Sequence, residues 1–109
     1  MKKILVVAIV LGLAAGLTAR ASDGKGIWTQ QCAKCHGADG TGQTNIGKRL
    51  ACKDYSDAKV QAALTDDDAI KAVKEGLKNS DGKTVMKAYD SLSDDDAKAV
   101  VAYLRTLKK

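Results

Sequence analysis

The chain has 109 residues, 18 basic and 13 acidic for a net charge of +5, with three cysteines and neither proline nor phenylalanine. That length allows one small domain, and a chain this small is marginal without a staple. The positive surplus does not mark a nucleic-acid binder. Lys2, Lys3 and Arg20 all fall in the first 21 residues while every acidic residue lies beyond them, so residues 22–109 carry 15 basic against 13 acidic residues, a net of +2.

Residues 1–21 read as a cleaved secretory signal peptide. Lys2 and Lys3 give the positive start, Ile4 to Leu17 form an apolar run of 14 residues, and Ala19-Arg20-Ala21 is a small-x-small cleavage site. The competing reading, a retained membrane anchor, needs about 20 apolar residues, and this run is shorter and interrupted by Gly12 and Gly16. Cleavage would leave residues 22–109 as one exported domain, free in the periplasm, with no stable membrane insertion. No cysteine at the cut offers a lipid anchor.

A first helix is expected from about Asp23, a suitable N-cap, into Cys35, with Ile27, Trp28 and Gln31 at helical spacing. Gly24 and Gly26 are costly inside a helix and imply close approach of another backbone, or simply a frayed first turn. The helix leads into Cys32-Ala33-Lys34-Cys35-His36, the C-x-x-C-H pattern by which haem c is attached. Two cysteines three apart lie on one side of a helical turn, so Cys32 and Cys35 can form thioethers with two vinyl groups on one porphyrin edge. His36 then falls beneath the ring, where a neutral imidazole ligates iron. A thioredoxin-like couple would need a βαβ setting, and no strand pattern is present. A zinc site would lack ligands, since His36 is the only histidine and Cys52 the only other thiol.

Gly37 to Gly47 reads as a loop able to wrap a haem edge, with carbonyls available to orient His36. A short helical piece is expected near Asp57–Leu64. Thr65-Asp66-Asp67-Asp68 and Ser93-Asp94-Asp95-Asp96 each open a helix with a hydroxyl N-cap and acidic first-turn residues. Calcium binding by these triplets is the weaker reading, because no EF-hand loop surrounds them. Gly76 is a natural stop for the first of these helices. The last helix is expected to bury Val100, Val101, Leu104 and Leu107 with Tyr103 beside them. Between the two, Lys78–Asp90 is a loop holding Met86, the only methionine after the leader and 50 residues beyond His36. A thioether is a soft ligand for haem iron, although most methionines are apolar fillers.

Taken together these residues resemble a class I cytochrome c of the small, soluble, single-haem bacterial type. The resemblance covers nearly all of residues 22–109. It implies an all-α fold of three to five helices wrapped around one covalent haem. Gly24 and Trp28 match the family's glycine and aromatic on the first helix, Val100 and Tyr103 their partners on the last, and Met86 the axial methionine. The chain lacks the family's prolines after the haem motif and beside the methionine; Thr44 stands where the first is expected. What is implied is a soluble periplasmic electron carrier with one covalent haem c, its iron held by His36 and Met86, and no catalysis. Its partners would be donor and acceptor redox proteins, such as a respiratory complex or oxidase, met by a monomer through Lys34, Lys48, Lys83 and Lys87. These lysines read equally well as solvated surface. If Met86 left the iron open, the haem would bind a gas or peroxide instead, while a haem domain serving a larger complex is a third reading. Cys52, unmatched in the family, is expected to be a buried apolar group rather than an exposed thiol linking two copies.

Overall fold

The computed structural model describes residues 22–109; the leader expected over residues 1–21 lies outside the described residues. Helix α1 covers residues 24–36 in three parts: α-helical Gly24–Ile27, a π-helical stretch Trp28–Cys32, and α-helical Ala33–His36. Then come α2 (Asn45–Leu50), α3 (Ala58–Ala63), α4 (Asp66–Glu75), an antiparallel pair of short strands β1 (Leu77–Lys78) and β2 (Thr84–Met86), and α5 (Asp94–Thr106). No helix among the described residues is long and apolar enough to cross a membrane.

The expected caps are in place. Asp23 accepts from the Gly26 N–H, Thr65 from Asp68 N–H, and Ser93 forms a full capping box with Asp96. Helix α4 stops one residue before Gly76, as the glycine suggests. Two segments differ from expectation. The glycine-rich run 37–47 ends earlier than its composition implies, because the Thr44 hydroxyl caps Gly47 N–H at 2.8 Å and starts α2 at Asn45. The stretch 78–90 contains β2, where Met86 pairs with Leu77 and Thr84 with Lys78, and Val85 and Met86 are half-buried.

The first and last helices form the frame. The Gly24 backbone lies directly against the Ala99 carbonyl of α5, with the Tyr103 Cβ 3.3 Å from where a Gly24 Cβ would stand. Only glycine permits that approach. Gly26 instead leaves room for the Asp23 carboxylate. Trp28, 2% exposed, packs with Cys32, Val73, Ala97, Val100 and Leu104 in the core, and its ring centre is 6.1 Å from that of Tyr103. Leu107, expected in the core, is half-buried, because it follows the last turn of α5.

One buried polar side chain joins three elements. The Gln61 amide donates to the carbonyls of Tyr55 (2.7 Å) and Leu104 (2.8 Å), while its oxygen accepts from Arg105 Nη1 at 2.9 Å. Arg105 also donates to the Gln61 and Leu64 carbonyls ending α3 and to Asp66 opening α4. Removing one member leaves buried carbonyls without donors. We therefore expect Gln61→Leu to cost the folded protein about 1–3 kcal/mol, read by chemical denaturation; a loss indistinguishable from zero would mean the network is replaceable by packing.

Candidate functional site

Helix α1 carries Cys32 and Cys35 three residues apart and delivers His36 at its last turn. Cys32 is buried at 7% exposure, and burial, with the Cys35 thiol adding to it, pushes its pKa up to about 11. It is thus a protonated, shielded thiol rather than a thiolate poised for redox exchange.

The His36 ring lies between two aromatics, its centre 5.6 Å from Trp28 and 5.8 Å from Tyr55. Burial lowers its pKa, which keeps the imidazole neutral near pH 7. Trp28 is locked in turn by its indole N–H, which donates to the Gly37 carbonyl at 3.1 Å. No sequence signal points to Tyr55; nothing local marks a tyrosine 19 residues away as a neighbour of the histidine.

His36 Nδ1 is buried and has no hydrogen-bond partner. The expectation that a carbonyl of the 37–47 loop orients this ring is not met. The Thr44 carbonyl accepts from Lys48 N–H at 2.9 Å as the first bond of α2, and the Thr44 hydroxyl instead donates to the Cys35 carbonyl at 2.6 Å. The residue standing in the family's proline position therefore stiffens the cysteine motif through its side chain. Sequence alone suggests only the carbonyl.

Met86, half-buried at the end of β2, packs against the cluster that contains Cys32, Trp28 and Val73. Its segment is pressed onto Gly76, whose φ of +73° and whose closeness to the Met86 carbonyl and Ala88 N exclude a side chain there. Tyr89 carries the contact further, donating from its N–H to the Val73 carbonyl at 2.9 Å and from its hydroxyl to the Gln31 carbonyl at 2.8 Å. A cavity of about 400 Å³ opens beside Tyr55, lined by Val60, Ala63 and Leu64 and rimmed by Lys53 and Lys59.

The fold brings Cys32 and Met86 into one cluster and joins His36 to it through Trp28. Two thiols, a neutral imidazole and a half-buried thioether form a donor set suited to a covalently held haem. Cys52 is a half-buried free thiol, neither fully enclosed as expected nor fully exposed. Its N–H donates to the Gly47 carbonyl at 2.8 Å, and burial raises its thiol pKa. It should label with iodoacetamide in the native haem-loaded protein at least about tenfold more slowly than after unfolding; equal rates would make it an exposed thiol.

These features define a small helical haem-c protein. The sequence matches the family model for cytochrome c over residues 21–108, and the chain belongs to that family. A c-type cytochrome, KustC0563, has a similar structure at 32% identity, with a TM-score of 0.68 over 80% of this chain and 99% of that one. A tyrosine-to-phenylalanine mutant of that same cytochrome gives 31% identity and a TM-score of 0.66 over 79% of this chain and 99% of its own. The chain is also 32% identical over 98 residues to cytochrome c oxidase subunit 2 of Alkalihalophilus pseudofirmus, covering 81% of this chain but only 26% of that protein. The chain thus spans about a quarter of that relative's length. The family binds covalent haem c with iron and serves haem-based electron transfer.

Proposed function

We propose that this chain is a soluble, exported electron carrier in which Cys32 and Cys35 hold the haem by thioethers and His36 and Met86 fill the two axial positions of its iron. The observation that carries the reading is the placement of Met86, the only thioether after the leader, against the cluster that holds Cys32. Bound there, the haem supplies a one-electron ferric/ferrous couple. The protein keeps His36 neutral by burial and packs its ring between Trp28 and Tyr55. With both axial positions occupied by side chains no site is open to substrate, which favours transfer over catalysis.

Lys34, Lys48, Lys83 and Lys87 are exposed and would steer an acidic redox partner into a short-lived complex. Likeness to part of an oxidase subunit supports electron delivery to a terminal oxidase. A monomer in the periplasm, released from the leader at residues 1–21, completes the reading. The test is an optical spectrum of the purified holoprotein in both redox states. A far-red thioether-to-iron charge-transfer band in the ferric form, with no carbon monoxide binding when reduced, is expected. An open iron that binds carbon monoxide would place the chain among ligand-binding haem proteins instead.

A further inference from the structure

The segment around Met86 lacks the devices that would make a ligand loop stiff by itself. It contains no proline, and its strand pairing is irregular between Leu77 and Lys78. From Lys87 to the Ser93 cap there is no helix or strand. A thioether bond to iron is weak enough that such a loop would let it open. Something else must hold the loop.

We propose that Tyr89 is the positioning residue for Met86, acting as a strap between the methionine loop and the cysteine-bearing helix. This rests on the reading of Met86 as an axial ligand. Tyr89 lies three residues after Met86, and its hydroxyl donates at 2.8 Å to the carbonyl of Gln31, the residue immediately before Cys32. Its backbone N–H donates to Val73 at 2.9 Å, so one residue ties the loop to both α1 and α4. The Lys87 ammonium sits 5.0 Å from the Tyr89 ring centre and closes over the ring's outer face. Burial raises the phenol's pKa, which keeps the hydroxyl a donor across the physiological range. On the other side, the bare backbone of Gly76 lets the loop seat against the end of α4. The strap joins the two sides of the site: motion of Met86 away from the cysteines has to break the Tyr89–Gln31 bond.

Tyr89→Phe keeps the ring and removes only the hydroxyl. The holoprotein is titrated with imidazole, which competes with the thioether for ferric iron, and the far-red band is followed. One net hydrogen bond is worth about 0.5–1.5 kcal/mol, so Tyr89→Phe should bind imidazole roughly two- to twelvefold more tightly and show a weaker band. Tyr89→Leu, lacking ring and hydroxyl, should show a rise at least as large. Gln61→Leu, which lowers stability away from this loop, should leave imidazole affinity unchanged. Unchanged affinity in Tyr89→Phe overturns the strap, as does a rise confined to Tyr89→Leu, which would assign the effect to packing. A rise in Gln61→Leu equal to that in Tyr89→Phe would assign it to general destabilisation and also overturn it. If the wild-type protein has no far-red band, the ligand reading of Met86 itself fails, and the strap with it.

Discussion

Met86→Ala is expected to open the iron: the ferric haem turns high-spin, the far-red band disappears, and the reduced protein binds carbon monoxide. The potential should fall on the order of 0.1 V or more, because a thioether stabilises ferrous over ferric iron and water in its place does not. His36 is the only histidine, and Met86 is the only methionine besides Met1. Truncation also removes a half-buried side chain from the cluster around Cys32, so a loss of stability accompanies the change of spin state. The two effects separate cleanly, since lost packing alone shifts the unfolding midpoint without opening the iron. A variant that is less stable yet spectroscopically unchanged would remove Met86 from the site.

The parts of this molecule that can be read from the sequence are those governed by neighbours within four residues. Ser93 with Asp96 and Thr65 with Asp68 are side chain-to-backbone bonds that local spacing dictates, and both are present. The cysteine motif is legible for the same reason, being one turn of helix. Gly24 signals close contact because a glycine is costly in a helix, but that its partner is the last helix comes only from the family resemblance, and Ala99 supplies the contact. What leaves no trace in the sequence depends on distant pairings. Gln61 reaches the Leu104 carbonyl across 43 residues, and Tyr89 reaches Gln31 across 58. Neither partner carries a mark of the other, since both acceptors are backbone carbonyls that every residue owns. Thr44 misleads differently: its position suggests a carbonyl, but a hydroxyl in that place starts α2 and bonds Cys35. The strand pair is silent because Val85 and Met86 form too short a run to show alternation.

Haem-free protein, made from a Cys32→Ala/Cys35→Ala chain, is expected not to fold cooperatively. Among the described residues the buried apolar set is Trp28, Cys32, Ala69, Val73, Ala97, Val100, Val101 and Leu104, and the largest fully buried side chain is Val100. Such a set is thin and made mostly of small side chains: α1, α4 and α5 touch, while Met86, Tyr55 and Tyr89 pack only partly against them. Chains of this size bury about 60% of their surface even when complete. Without the haem, too little apolar contact is left to offset chain entropy. Whatever helical population survives should weaken further in acid. Burial lowers the His36 pKa below 6.5, so the unfolded chain binds the proton more readily and stability is lost as pH falls from about 6.5 toward the depressed value. The haem-loaded protein should escape this dependence, with the imidazole committed to iron. Circular dichroism on heating at pH values of about 7.5 and 5.5, on either side of the ordinary histidine pKa, checks both statements. A sharp two-state transition in the haem-free chain, unmoved by pH, would show that the helices carry the fold without the cofactor.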